Sequence, residues 1–229
     1  MRILITRPES CNNPILQEKL SREFRIHVDI LELAKIEPIY INIEKAIQII
    51  PEFEYICWTS QNGVEVFFTY LLRKFPDRLE IFREKILVAI GPMTAQKLKD
   101  FLDTEVIIPE KYESDFLRSM IIELKNRCLI LRSALAKPMG LPNAYELHIY
   151  TLIKKENIYL PVQRYDYIIL TSAFLTKLFF EVVRIFPEKA FVPIGPVTYR
   201  ELEKHVDKSL IIKYPSSYTI KDTIRKILS

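Results

Sequence analysis

The fold is decided by a stretch that occurs twice: Tyr55-Ile56-Cys57-Trp58-Thr59-Ser60 returns as Tyr167-Ile168-Ile169-Leu170-Thr171-Ser172. The segments after the two copies also match, since Ile90-Gly91-Pro92-Met93-Thr94 returns as Ile194-Gly195-Pro196-Val197-Thr198. In every case a short apolar run ends in a small polar or Gly-Pro turn, and an amphipathic helix pattern begins. The repeat therefore predicts two similar α/β units.

Around this repeat, short apolar runs alternate with helical patterns, which is typical of a parallel sheet covered by helices on both faces. We predict strands over residues 2–6, 26–33, 55–59, 86–90, 105–108, 128–132, 145–153, 166–171, 190–194 and 209–213. We predict helices over residues 14–23, 63–73, 93–101, 114–125, 175–186, 197–205 and 220–228.

The surroundings of the two copies predict a discontinuous domain. The later copy lacks a strand equivalent to residues 129–133, and the N-terminal stretch of residues 3–7 resembles that strand. We therefore predict one α/β domain of residues 1–36 plus 155–229, with a similar, flavodoxin- or Rossmann-like domain of residues 43–147 inserted in it. Residues 37–42 and 148–154 would form a two-stranded connector that acts as a hinge. The alternative is one continuous ten-stranded sheet, which the usual limits on domain size disfavour.

Composition excludes several classes of function. The 229 residues carry a net charge of +4 without a dense basic run, which argues against a nucleic-acid binder. Only 4 glycines are present, so neither a dinucleotide fingerprint nor a P-loop can be built. Three cysteines and three scattered histidines show no metal-ligand spacing. With no apolar run of membrane-spanning length and no signal-peptide pattern, we expect a cytoplasmic protein that does not enter a membrane.

The repeated polar residues stand where strands are predicted to end and helices to begin. In parallel α/β sheets ligands bind at the carboxyl ends of the strands, and helix N-termini attract phosphate or carboxylate. Two such units would offer several anion sites, which suits a ligand with many carboxylates. The alternative interpretation is that each Thr or Ser only caps its helix.

Tyr150 lies in the second predicted crossing between the domains and is a candidate proton donor. His148, two residues earlier on the same strand face, could serve similarly. The alternative for the tyrosine is a packed strand residue whose hydroxyl has a structural partner. The sequence offers no Ser-His-Asp set and no close carboxylate pair, so chemistry would rest on positioning and electrostatics.

An ordered set of motifs resembles the uroporphyrinogen-III synthase family over essentially the whole chain. No single motif is specific, but their order is. The matching segments are residues 3–8, Trp58-Thr59-Ser60 with Asn62-Gly63-Val64, residues 90–95, Pro109 to Ser114, Ile149-Tyr150, Leu170-Thr171-Ser172, residues 194–198 and Tyr218-Thr219. The chain departs from the family at Ser133, where a glycine usually follows the strand.

The resemblance implies two α/β domains joined by a two-stranded connector, with the active site in the cleft between them. It implies a lyase of tetrapyrrole, porphyrin and heme biosynthesis. Its substrate would be hydroxymethylbilane, a linear tetrapyrrole with carboxylate side chains. The product would be uroporphyrinogen III, formed with loss of water and inversion of ring D through a spirocyclic pyrrolenine. No metal or organic cofactor is implied, and we expect a monomer.

The resemblance also implies roles for individual residues. The family tyrosine that is proposed to assist departure of the substrate hydroxyl matches Tyr150. The implied substrate-binding positions are Arg7, Thr59, Ser60, Gly91, Thr94, Tyr112, Ser114, Arg132, Thr171, Ser172, Gly195 and Thr198.

Two other classes of function stay open from the residues alone. A non-catalytic binder of a polycarboxylate would use the same anion sites and would show no turnover. A nucleotide-dependent transferase would need a phosphate loop or metal-binding carboxylates, and the sequence shows neither.

Overall fold

A computed structural model describes residues 1–109, 114–124, 127–158 and 164–229, with the side chains of Ser114 and Asp115 left out of the description. Within these residues, none of the helices combines the length and apolar character that crossing a membrane requires.

Strands and helices alternate along the chain. The strands are β1 (Arg2–Pro8), β2 (His27–Pro38), β3 (Tyr55–Trp58), β4 (Ile86–Ala89), β5 (Val106–Ile107), β6 (Cys128–Ser133), β7 (Ala144–Lys154), β8 (Tyr167–Leu170) and β9 (Ala190–Pro193). The α-helices are α1 (Asn13–Phe24), α2 (Tyr40–Ile49), α3 (Gln61–Lys74), α4 (Pro92–Lys99), α5 (Ser114–Glu123), α6 (Ala173–Val182), α7 (Pro196–Leu202) and α8 (Ile220–Leu228). Short 3-10 segments cover Ile50–Glu52, Pro76–Glu84 and Lys208–Leu210.

The chain divides into two compact units. The discontinuous unit comprises Met1–Lys35 and Ile153–Ser229, and the inserted unit comprises Ile36–Leu152. The predicted α/β class, with one parallel-sheet domain inserted in a similar one, is confirmed. The domain limits predicted from the sequence, residues 1–36 plus 155–229 and 43–147, stay a prediction.

Each unit contains a parallel sheet. In the discontinuous unit the strand order is β2-β1-β8-β9, and in the inserted unit it is β5-β4-β3-β6-β7. The pairs β1–β8 and β3–β6 are both parallel, with Ile5 beside Ile169 and Cys57 beside Ile130. Because parallel strands align their carboxyl ends, the polar residues that follow the strands collect at one edge of each sheet.

The apolar runs of the strands form the core, as expected for strands covered on both faces. In the inserted unit, Trp58 of β3 packs against Phe67 and Phe68 of α3, with ring centroids 5.1 and 5.5 Å apart. All three side chains are fully buried. The residues just after Trp58 therefore follow directly on a fully buried aromatic cluster.

β2 and β7 are the segments in which the chain passes between the units. In the discontinuous unit the amide of Lys155 donates to Leu33 O at 3.1 Å, and in the inserted unit the amide of Ile39 donates to Ile149 O at 2.9 Å. The two segments are therefore joined by backbone hydrogen bonds near both ends, as expected for a two-stranded connector.

Two sequence predictions differ from the structure. Residues 40–42, predicted as connector strand, begin the helix Tyr40–Ile49, because Ile43, Ala46 and Ile47 recur at helical spacing and are buried. The strand predicted over residues 209–213 is wrong. Lys208–Leu210 forms a 3-10 turn, and Ile211 makes only an isolated bridge to Phe191.

Candidate active site

The repeated Thr-Ser and Gly-Pro residues of each unit lie between the carboxyl end of a strand and the start of a helix. In the inserted unit Thr59 and Ser60 follow β3, and Gly91 precedes α4. In the discontinuous unit Thr171 and Ser172 follow β8. Gly195, which precedes α7, completes the second set. Each unit thus presents the same arrangement of hydroxyls and helix N-termini, an arrangement suited to anions.

Both serines cap helices. The hydroxyl oxygen of Ser60 accepts the amide of Gly63 at 3.0 Å, and that of Ser172 accepts the amide of Leu175 at 3.2 Å. Both serine hydroxyls therefore serve as helix caps.

The glycine that starts α4 has no side-chain cap. Pro92 has no N–H, and the amide of Thr94 donates to Gly91 O at 3.1 Å, so within this first turn the N–H of Met93 is left without a side-chain acceptor.

The four threonines divide into two kinds. Thr59 donates its hydroxyl to Leu131 O at 3.5 Å, and Thr171 donates to Thr6 O at 2.5 Å, so each ties its strand end to the neighbouring strand. Thr94 and Thr198 lie in the first turns of α4 and α7 and are 5% and 3% exposed. The second pair is the better candidate for binding through the hydroxyl.

Tyr150 is buried near the end of β7, with 4% of the residue exposed. Its phenolic oxygen lies 2.6 Å from the hydroxyl oxygen of Ser60. Burial raises the pKa of this phenol, while hydrogen bonds from Ser60 and Ser133 and the charge of Arg132 oppose the rise. The phenol is therefore protonated at neutral pH and has a proton to donate.

Arg132, a predicted substrate ligand, is already engaged. Its Nη1 lies 2.5 Å from Oε2 of Glu146, and its side chain is 4% exposed. The other carboxylate oxygen of Glu146 accepts the amides of Met139 and Gly140 at 2.8 and 3.1 Å. Burial raises the pKa of Glu146, but the Arg132 guanidinium and these amides hold it below its usual value. Arg132 is therefore part of a buried ion pair.

His148 lies beside Arg132 in the register of β6 and β7. Its backbone carbonyl accepts the side-chain amide of Asn42 at 2.8 Å. Within the described residues, Nε2 of His148 and Nε of Arg132 are both buried without a hydrogen-bond partner. Each of the two neighbouring strands therefore has one buried nitrogen atom with no hydrogen-bond partner among the described residues.

Arg7 belongs to a charged cluster in the discontinuous unit. Its Nε donates to Asn13 Oδ1 at 2.8 Å, and the amide nitrogen of Asn13 donates to Glu32 at 2.7 Å. Glu32 also accepts from Lys155 at 2.9 Å. Burial lowers the pKa of Arg7, and Glu32 opposes this change. Glu32 and Lys155 thus partly neutralise each other beside a half-buried guanidinium.

Gly195 is packed under an aromatic ring. A Cβ at this position would stand 3.4 Å from Cγ of Tyr218, whose own backbone has a φ of 50°. The next residue, Thr219, caps α8 by accepting the amide of Asp222 at 3.1 Å. The small residue at position 195 therefore lets the Tyr218 turn approach the start of α7.

Two predicted site residues receive no description. Tyr112 lies outside the described residues, and Ser114 begins α5 without a described side chain. Elsewhere, in the part of the chain that the structure does cover, no group of three or more His, Cys, Asp or Glu side chains is placed to hold a metal ion.

Sequence reasoning missed two residues beside Tyr150. Ser133 is in register with Tyr150 across the irregular end of β6, and its side chain acts to lower the pKa of the phenol. Gly63 lies under the phenol ring, where a Cβ would stand 3.3 Å from Cε1. The sequence did offer a signal for Gly63. The chain has only 4 glycines, and this one lies in the first turn of α3, where a glycine needs a reason. Ser133 was marked only as a departure from the family pattern, which usually has a glycine there.

Comparison with known proteins gives one consistent result. A putative uroporphyrinogen-III synthase of Methanocaldococcus jannaschii is 26% identical over 251 positions, covering 99% of this chain and 98% of the relative. The solved uroporphyrinogen-III synthetase of Helicobacter pylori 26695 covers 100% of this chain and 99% of its own, with 16% identity and a TM-score of 0.64. A mutant uroporphyrinogen III synthase of the extremely thermophilic bacterium Thermus thermophilus covers 100% and 97%, with 12% identity and a TM-score of 0.58.

At these identities the two solved structures bear on the fold alone. A family model described as uroporphyrinogen-III synthase HemD matches residues 16–225, which is nearly the whole chain. The repeated strand ends, the duplicated α/β architecture and this match lead to one assignment: the chain belongs to the uroporphyrinogen-III synthase family.

Proposed function

We propose that this chain cyclises hydroxymethylbilane to uroporphyrinogen III, the reaction of its family, with Tyr150 as the proton donor. The observation that carries the proposal is the phenol itself. It is buried, protonated at neutral pH, and held 2.6 Å from Ser60 at the carboxyl edge of the sheet. A positioned acid of this kind is what departure of a hydroxyl as water requires.

The proposed step balances without any further reactant. The phenolic O–H bond breaks and its proton goes to the substrate hydroxyl. The carbon–oxygen bond then breaks, and its electron pair leaves with the water. Ring D then attacks through its substituted α-carbon and forms a carbon–carbon bond, which gives the spirocyclic pyrrolenine. The bond from that carbon to its original methylene bridge breaks, the bridge carbon bonds to the unsubstituted α-carbon of ring D, and that carbon releases its proton. That proton restores the phenol, so Tyr150 ends each turnover in its starting state.

Binding of the substrate carboxylates is assigned to both units. In the inserted unit we propose the hydroxyl of Thr94 and the N–H of Met93 in the first turn of α4. In the discontinuous unit we propose the equivalent Thr198. Helix N-termini and buried hydroxyls suit carboxylates because they present donors and positive potential. The other positions that the family pattern suggests remain part of the proposal: Arg7, Thr59, Ser60, Gly91, Tyr112, Ser114, Arg132, Thr171, Ser172 and Gly195.

The test is a Tyr150→Phe substitution assayed with hydroxymethylbilane, with the type I and type III products resolved. We expect kcat to fall roughly ten- to a thousand-fold while KM changes little, since the lost interaction acts mainly in the transition state. Tyr145→Phe is the matched control. It removes a hydroxyl from the same strand, one that lies 2.6 Å from Lys45 Nζ, and it should leave kcat unchanged.

The same assay separates the catalytic interpretation from the alternative of a polycarboxylate binder. A binder would retain tetrapyrrole without increasing type III product above the uncatalysed rate. An unchanged kcat for Tyr150→Phe would instead assign the proton donor elsewhere, with His148 the next candidate. A monomer in the cytoplasm stays a prediction of the sequence, and size-exclusion chromatography tests its first part.

A further inference from the structure

The phenol of Tyr150 is accompanied by two serines that arrive from different elements. Ser60 is the cap of α3, and its hydroxyl oxygen is 2.6 Å from the phenolic oxygen. Ser133 ends β6, where a register shift sets it beside Tyr150 on the neighbouring strand, and its side chain acts to lower the pKa of the phenol. We call Ser60 and Ser133 the serine pair.

Each serine oxygen already accepts a backbone N–H. Ser60 accepts from Gly63 at 3.0 Å, and Ser133 accepts from Leu135 at 3.2 Å. A hydroxyl has one proton and two lone pairs. With one lone pair occupied by an amide, each serine still has its proton available to give to the phenolic oxygen. That oxygen can accept both bonds and still point its own proton away from the pair.

We propose that Ser60 and Ser133 are positioning residues that direct the Tyr150 proton toward the substrate and stabilise the phenolate left after its transfer. The inference rests on the proposed function, since it gives the pair a role only if Tyr150 is the acid. It adds Ser133 to the site, and it gives the hydroxyl of Ser60, for which the family pattern suggests substrate binding, a role through Tyr150.

The physical need for such a pair comes from burial. A phenolate in a buried site loses hydration, so its formation is disfavoured unless protein donors replace the water. Hydrogen bonds to an ionised oxygen are stronger than those to a neutral one. The serine pair therefore stabilises the charged state more than the resting state, which is the condition for lowering a barrier. The nearby guanidinium of Arg132 acts in the same direction.

Ser60 also has a structural role, so the test must separate the cap from the phenol contact. Asp is as good an N-cap as Ser, but an ionised carboxylate only accepts hydrogen bonds. Ser60→Asp therefore keeps the helix cap and removes the donor, whereas Ser60→Thr keeps both. We expect Ser60→Asp to unfold near the temperature of the parent protein yet to lose roughly tenfold or more in kcat, and Ser60→Thr to recover most of it.

Ser133→Ala supplies an independent test that touches no helix cap. We expect a several-fold fall in kcat with KM nearly constant. In a Tyr150→Phe background, neither Ser60→Asp nor Ser133→Ala should lower kcat much further, because the group through which they act is gone.

A titration provides a readout that a merely structural role would not change. With tyrosine labelled at the ring carbon that bears the hydroxyl, NMR monitors the ionisation of the Tyr150 phenol, assigned by its loss in Tyr150→Phe. We expect this phenol to titrate at higher pH in Ser133→Ala and in Ser60→Asp than in the parent protein.

The outcomes separate the choice of acid from the role of the serine pair. If Tyr150→Phe turns over normally, the proposed function fails in its choice of acid. If that variant is impaired but Ser60→Asp and Ser133→Ala keep both the parent kcat and the parent titration, the serine pair is overturned while the acid stands. A rise in KM alone would place these hydroxyls on the substrate and would also overturn the positioning role.

Discussion

Gly63 lies directly against the ring of Tyr150, and a Cβ at position 63 would stand 3.3 Å from Cε1 of the phenol. The same Cβ would be 3.4 Å from the hydroxyl oxygen of Ser60. The first distance is tighter than ordinary van der Waals contact, so the ring would have to shift by a few tenths of an ångström. Because position 63 has no side chain, the first turn of α3 leaves room for the phenol ring in its observed position.

We expect Gly63→Ala to lower kcat several-fold while the free energy of unfolding changes by less than about 1 kcal/mol, because better helix propensity offsets the crowding. Steady-state kinetics and thermal unfolding measure the two effects. Gly140→Ala is the opposite control. Gly140 has a φ of 62°, and no atom lies near the position of an added Cβ. Gly140→Ala should therefore lower the free energy of unfolding by about 1 kcal/mol and leave kcat unchanged. Normal turnover in Gly63→Ala would contradict the role given to this packing.

Removing the buried hydroxyls of the first helical turns should weaken substrate binding. We expect Thr94→Val or Thr198→Val to raise KM roughly tenfold with little change in kcat, since a hydrogen bond to a charged group is worth about 1.5 kcal/mol or more. Thr223→Val removes a fully buried hydroxyl that donates to Thr219 O at 2.8 Å, and it should leave KM unchanged. If Thr94→Val and Thr198→Val had the same KM as the Thr223→Val control, neither threonine would belong to the binding site.

The ion pair of Arg132 and Glu146 predicts a non-additive effect on stability. Glu146→Gln leaves a 4%-exposed guanidinium without its counter-charge, and we expect a loss of about 3 kcal/mol or more. Arg132→Met should also be destabilising. The double variant should lose less than the sum of the two, because it buries no unpaired charge. Urea unfolding of the four proteins measures the coupling, and additive losses would show that the pair is not coupled.

Asp222 predicts a specific acid sensitivity. Hydrogen bonds from Ser217 and Thr219 at the start of α8 lower its pKa from 3.8 to about 2. The stabilisation is present above the unfolded pKa and is lost as pH falls from 3.8 toward 2. Partial exposure reduces its size to about 1 kcal/mol.

We therefore expect Asp222→Asn to flatten the loss of stability over this pH range, as measured by denaturant unfolding at each pH. Glu18→Gln serves as the control because the Glu18–Arg22 pair is largely exposed. The control should follow the parent curve. If the free energy of unfolding of Asp222→Asn fell with pH as steeply as that of the parent protein, other carboxylates would be responsible for the acid sensitivity.

The duplicated architecture could be predicted because its signals are local. Apolar runs followed by Thr-Ser or Gly-Pro turns specify a strand, a helix start and their junction over a few residues, and the second copy repeats the same choices. The helix Tyr40–Ile49 was missed because its apolar residues come directly after those of β2, and an apolar run alone does not separate strand from helix.

The sequence by itself determined the two α/β units and the strand ends that carry the polar residues, and it made Tyr150 a candidate. Only the tertiary structure decided what surrounds that phenol. Ser60 is 90 positions away from Tyr150 along the chain, and Ser133 meets it through a register shift. The structure also paired Arg132 with Glu146 across adjacent strands. Such contacts depend on strand order, register and side-chain packing, which involve residues far apart in the sequence. Hydrophobic periodicity and helix capping, in contrast, depend on residues within a single turn or strand.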